Sequence, residues 1–143
     1  MHQADFQRLE GVWNGTESTN DAGTEHEATA RLVFQTIFDG RLLLCDYVQT
    51  SPDRPISVGH GVFRRHEPTD VLTVTWFRIP EATAVQQTHG IAEHDKLIFI
   101  ETIASRRTRT TYSLALNRLS ILTESSLSSG EWKQVCAGAY RRR

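Results

Sequence analysis

The chain lacks any apolar run approaching the ~18 residues that a membrane-spanning helix needs. Its opening, MHQADFQRLE, is polar and has no apolar centre of the kind a secretion signal carries. A cytoplasmic protein with no membrane partner is therefore expected. Cysteine is scarce: Cys45 and Cys136 stand far apart, with no histidine or second cysteine close to either in sequence. Free thiols are expected rather than a bridge, and no metal site. Excess charge is missing too. Lys and Arg number 16 against 17 Asp and Glu, a formal net charge of −1, so nothing favours nucleic acid as a partner. The one basic cluster, Arg141-Arg142-Arg143, reads as a solvated tail. Signature motifs of catalysis are also absent: there is no P-loop, G-x-G-x-x-G, H-E-x-x-H, C-x-x-C or G-x-S-x-G. No cofactor is expected, no reaction can be assigned, and any site must be assembled from residues distant in sequence.

What the chain does have is a succession of short β-favouring stretches divided by glycine and small polar clusters. At 143 residues it is long enough for one cored domain, taken as 1–143. Gln3 to Glu10 reads as one or two helical turns, with Phe6 and Leu9 on one face. Strands are expected over Gly11–Ser18, Glu25–Phe38, Arg41–Thr50, Ile56–Arg65, Val71–Arg78, Thr83–Ala92, Leu97–Thr102, Arg106–Leu116, Leu119–Ser126 and Glu131–Arg141. Asp39-Gly40 is a strong hairpin signal. The prolines of SPDRP keep that stretch out of a central strand, and Pro80 ends the strand before it. About ten meandering antiparallel strands leave two open edges, and closing the sheet removes them. The expected fold is all-β: a single up-and-down barrel with a short N-terminal helix.

The stretch LEGVWNGTE places a large indole, Trp13, between Gly11 and Gly15. It resembles the G-x-W opening strand of calycins, the superfamily of lipocalins and fatty-acid-binding proteins. The resemblance implies that Trp13 plugs one end of the barrel and that the glycines give neighbouring strands and the first helical turn room to approach the ring. With FDGRLLLCDYVQ, GHGVFRRHEPTDVLTVTWF and the closing GEWKQVCAGAYRR, the chain resembles the DUF1579 family from about Phe6 to Arg142. Those are small bacterial calycin-like proteins without an assigned activity. The chain departs from them after GVF, where Arg64-Arg65-His66-Glu67-Pro68 replaces an aspartate or glycine-aspartate turn. The resemblance implies a barrel and little about chemistry.

Alternation says which side chains can meet. His60 shares a face with Ile56, Val58, Val62 and Arg64, against Ser57, Gly59, Gly61 and Phe63. Leu72, Val74, Trp76 and Arg78 align, as do Val85, Gln87, His89 and Ile91. Both faces of several strands carry apolar residues, so alternation alone does not fix which face is inner. The candidate lining of a ligand cavity is Tyr47, His60, Trp76, Arg78, His89 and Tyr112. Arg78 would hold a carboxylate, and His and Tyr would supply hydrogen bonds. Trp13, Trp76 and Trp132 also read as packing residues, and the two histidines as exposed strand positions or as rings satisfied by a backbone partner. In SRRTRTTY, Arg107 and Arg109 share a face and Arg106 lies opposite. Glu101 and Glu124 are candidate cross-strand partners.

The expected function is binding of a small hydrophobic or amphipathic molecule, one that bears a carboxylate where Arg78 is used. The alternatives are a haem-binding, nitrobindin-like barrel and an enzyme with His60 or His89 as general acid–base. The six histidines end at His94, whereas the nitrobindin-like arrangement places its haem ligand late in the chain. Apolar residues on both strand faces leave room for a buried outer surface, hence a homodimer.

Overall fold

The computed structural model describes residues 3–79, 86–127 and 130–143. A short helix, α1 (Gln3–Leu9), precedes ten strands: β1 (Gly11–Asp21), β2 (Thr24–Ile37), β3 (Leu42–Ser51), β4 (Arg54–His66), β5 (Val71–Ile79), β6 (Gln86–Glu93), β7 (Lys96–Ile103), β8 (Arg106–Ala115), β9 (Arg118–Leu127) and β10 (Lys133–Arg142). Each strand pairs antiparallel with its neighbours in sequence, and β1 pairs with β10, so the sheet closes into a barrel. This is the expected calycin-like architecture. Closure leaves no unpaired edge among the described strands.

The turns follow local chemistry. Between β2 and β3, Phe38, Asp39 and Gly40 all hold positive φ, and Arg41 N donates to Phe38 O at 3.2 Å. Pro55 differs from expectation: it falls inside the first residues of β4, where the strand has only just begun. Pro80 and the start of the expected sixth strand, 83–85, lie outside the described residues.

One end of the barrel is filled. Trp13, Phe63, Leu43, Leu72, Leu97 and Leu119 are fully buried there, and α1 covers them with Phe6 and Leu9. Each such side chain contributes about 1.5–3 kcal/mol by leaving water. Trp13 Nε1 donates to Leu9 O at 2.8 Å, which satisfies one free carbonyl at the end of α1. Arg142 donates to the carbonyls of Arg8 and Glu10 and lays its guanidinium 4.4 Å from the Trp13 ring centroid. Arg8 pairs with Asp95 at 3.0 Å, tying the helix to the β6–β7 turn.

Of the expected neighbours, the glycines around Trp13 make room for one adjacent strand, β10. Gly11 holds φ near +126°, and a methyl there would meet Arg142. A methyl at Gly15 would run into the Ala139 backbone and the Tyr140 ring. Both gaps admit β10, the strand that closes the barrel.

Candidate ligand-binding cavity

Above the filled end the barrel is hollow, with a cavity of about 870 Å³. That lies within the usual range for small-molecule pockets. Its floor is a ring cluster centred on Phe63, whose centroid lies 5.5 Å from Tyr112, 5.7 Å from Phe99, 6.0 Å from Trp76 and 6.3 Å from Phe34. The contacts to Tyr112, Phe99 and Trp76 are edge-on, the geometry that opposed ring quadrupoles favour.

Space for these rings comes from glycines on adjacent strands. A methyl on Gly61 would lie 2.9–3.0 Å from the Trp76 indole, and one on Gly90 would lie 2.5 Å from Phe99. The rings therefore lie along the wall, in the places the missing side chains vacate, and the middle of the chamber stays clear. The wall above them is polar. Thr88, Thr108, Thr110 and Thr123 contribute hydroxyl-bearing positions from strands β6, β8 and β9.

The most buried charge in the chamber is Glu17, two strand positions beyond Gly15 and only 6% exposed. Its Oε1 accepts from Tyr47 Oη at 2.5 Å and from Gln49 Nε2 at 2.6 Å. Its Oε2 accepts a short hydrogen bond from Tyr140 Oη. Burial, and after it the Glu17 charge, raise both tyrosine pKa values far above the ordinary one, so both hydroxyls stay protonated donors. Tyr112 is raised as well, by burial first and then by the neighbouring Cys45. Cys45 and Cys136 both line the chamber, and burial raises each thiol's pKa, so neither is an activated thiolate.

Arg78 stands at the open end. Its guanidinium lies 4.9 Å from the Trp76 ring centroid and 5.9 Å from that of Tyr47. No carboxylate pairs with it among the described residues. Glu101 also lines the chamber and accepts from Thr88 Oγ1 at 3.3 Å.

Of the six residues singled out in the sequence, the barrel brings Tyr47, Trp76, Arg78 and Tyr112 to one cavity. His60 and His89 are not among its lining. Phe63, Gly61 and Gly59 face inward, so His60 faces out, where its Nδ1 lies 2.8 Å from Asp46 Oδ1 across the β3–β4 ladder. Thr88 faces inward, so its neighbour His89 is an exposed outer residue. Acid–base chemistry by His60 or His89 on a bound molecule therefore has no geometry to support it. No described histidine lines the cavity, so an axial histidine for haem is missing from its wall as well. The described residues contain no group of three or more His, Cys, Asp and Glu placed to hold a metal.

Glu17, Gln49 and the threonine belt were not singled out in the sequence, although the signal was present. Counting in twos from the plug, Trp13 leads to Gly15 and then Glu17. The same count from Tyr47 leads to Gln49. On the outer wall Arg109 pairs with Glu124 at 2.8 Å, one of the two expected carboxylates, while Glu101 turns inward. Trp132 lies outside the cavity beneath Arg107 and Arg109, whose Cζ atoms are 4.7 and 4.3 Å from its centroid.

No family model and no curated protein sequence matches the chain. Solved structures do. The chain is similar to Rv2717c from M. tuberculosis over 100% of its own length and 98% of that chain, with a TM-score of 0.72 at 12% identity. It is similar to the S-type phycobiliprotein lyase CPES from Guillardia theta over 96% of its length and 90% of that chain, with a TM-score of 0.66 at 10% identity. It also resembles a de novo designed fluorescence-activating β-barrel over the whole of both chains, with a TM-score of 0.56 at 14% identity. At these identities the likeness is one of fold alone, a closed antiparallel barrel. Among the described residues no helix is long and apolar enough to cross a membrane.

Proposed function

We propose that this barrel binds a small amphipathic molecule in its chamber, with an aromatic or aliphatic body against Trp76, Phe99 and Tyr112 and an anionic substituent against Arg78. The observation that carries the reading is the chamber itself: about 870 Å³ above a fully packed floor, with rings flattened onto glycines around it. A core that served stability alone would be filled. Arg78 adds a cation with no described carboxylate partner at the mouth. The similar fold of a designed fluorescence-activating barrel supports a hollow interior of this kind. The resemblance to DUF1579, a group of small calycin-like proteins without an assigned activity, belongs to the same reading.

The test is a titration with 8-anilinonaphthalene-1-sulfonate, an aromatic anion. Saturable one-to-one binding is expected, with affinity reduced about tenfold in Arg78→Gln by loss of one charge-assisted contact. Equal affinity in the variant removes Arg78 from the site. Absence of saturable binding removes the chamber reading.

A second feature supports a homodimer. Val48, Val58 and Ile79 are register neighbours on three adjacent strands, with Ile56 and Phe77 beside them, all outward and exposed. A contiguous apolar band is what a second copy of this chain would cover, and sedimentation equilibrium separates dimer from monomer.

A further inference from the structure

We propose that the inward end of the ligand is a positively charged nitrogen, an amine or amidine, seated against Glu17. This rests on the reading of the chamber as a binding site, and it adds the chemistry of the ligand's buried end.

The buried end of the chamber carries a charge imbalance. Glu17 is almost fully removed from water, yet its three partners, Tyr47, Gln49 and Tyr140, are all neutral donors. Neutral donors satisfy lone pairs but leave the charge of −1 in place, and a buried charge without a counter-charge is costly. No Lys, Arg or His pairs with Glu17 among the described residues. The carboxylate also has room for one more donor. Two groups bond to Oε1 and one to Oε2, while a carboxylate offers about four acceptor positions.

The surroundings suit a cation in that position. Tyr47 and Tyr140 give their protons to Glu17, which leaves their oxygens as acceptors for a further N–H. Both tyrosines are held protonated by burial and by the Glu17 charge, so they keep this orientation at any ordinary pH. The Tyr47 ring, edge-on to Trp76 at 6.5 Å, offers an electron-rich wall. Glu101, on β7 across the chamber from β1, is a second carboxylate in its lining. An anionic group moved inward from Arg78 would meet Glu17 and be repelled, so charge alone orients a bipolar ligand with its cation inward. A metal ion fits less well: among the described residues no group of three or more His, Cys, Asp and Glu is placed to hold one.

The experiment compares 2-naphthylmethylamine with 2-naphthylmethanol, which share a ring system and differ in charge, by titration calorimetry at neutral pH. The amine is expected to bind at least about tenfold more tightly, and Glu17→Gln to abolish that preference. A preference that is absent, or that survives in Glu17→Gln, overturns the proposal. A crystal structure of the wild-type protein with the amine tests it without any variant: its nitrogen is expected within hydrogen-bond reach of Glu17, and a nitrogen placed elsewhere overturns it. Alcohol binding without an amine preference defeats this inference alone. Failure of both probes and of the anilinonaphthalene dye defeats the chamber reading beneath it.

Discussion

The two halves of the barrel share ten strands, one hydrogen-bond ladder and one alternation of side chains, and they differ only in what the inward positions carry. Toward α1 those positions are Trp13, Leu43, Phe63, Leu72, Leu97 and Leu119, all fully buried. Toward the mouth they are Glu17, Tyr47, Gln49, Arg78, Glu101 and threonines, around open space. The backbone is thus indifferent to whether the interior is solid or hollow. Side-chain choice a few residues along the same strand turns core into chamber, as Trp13 and Glu17 show on β1 and Phe63 and Gly59 on β4. Apolar packing is concentrated in the first half and open space in the second.

The largest expected effect follows from breaking the solid half. Phe63→Ala removes the ring on which Phe34, Trp76, Phe99 and Tyr112 converge, and leaves a cavity the closed barrel cannot collapse to fill. A loss of about 3–5 kcal/mol is expected, or roughly 10 °C in Tm for a chain of this size. Thr123→Val, which takes one hydroxyl from the chamber wall and opens no void, should cost no more than about 1.5 kcal/mol, the net worth of a single hydrogen bond. Thermal unfolding of the two variants side by side checks the contrast. Comparable losses would mean that the chamber supports the fold as much as the floor does.

The next effect sits at the boundary. All three tyrosines of the chain, Tyr47, Tyr112 and Tyr140, face the interior with raised pKa values. The neutral hydroxyl is favoured in the folded protein relative to the unfolded chain, whose tyrosines ionise near pH 10. Their contribution is therefore complete below about pH 10 and is lost as pH rises toward the folded values. The tyrosinate absorbance band should stay absent at about pH 11 and then appear in one step with the loss of structure. Gradual ionisation of one tyrosine on a folded barrel would place that hydroxyl in water. Tyr140→Phe, which removes one bond to a buried carboxylate, should cost about 1.5–3 kcal/mol.

The solid half was the more legible in sequence. Ala28, Ala30, Leu32 and Phe34 alternate against Thr29, Arg31, Val33 and Gln35 on β2, and the face of Ala30, Leu32 and Phe34 is the inner one. G-x-W located the plug, and the strand boundaries fall within a few residues of where turns and prolines put them. β4 resisted because its larger apolar set, Ile56, Val58 and Val62, faces outward, while its inner face carries Ser57, Gly59 and Gly61. Those glycines make sense only beside Trp76, which belongs to β5. The orientation of His60 was therefore written on another strand. The same holds for Gly15, whose empty side is explained by Tyr140, 125 positions later, where β10 closes the ring. Information that lies in pairing between strands cannot be read from the alternation of one.

The smallest effect on stability belongs to the outer surface, which sharpens the comparison by standing outside it. Phe77 is outward and 48% exposed. It sits directly opposite His60, beside the row formed by Val48, Val58 and Ile79. Phe77→Ser takes a half-exposed ring off this band without opening the floor or the chamber, so monomer stability should shift by no more than about 0.5–1 kcal/mol. If a second copy covers the band, the same change should raise the dimer dissociation constant by at least about tenfold, since an aromatic near the centre of an interface carries a large share of its energy. Phe77 borders the chamber, but its side chain alternates with those of Trp76 and Arg78, which point inward, so dye affinity should change little. Sedimentation equilibrium and dye titration on one preparation read both quantities. A change in dye affinity with unchanged association would mean that the wall between β4 and β5 is not rigid, and that inside and outside are coupled through the Trp76 ring resting on Gly61.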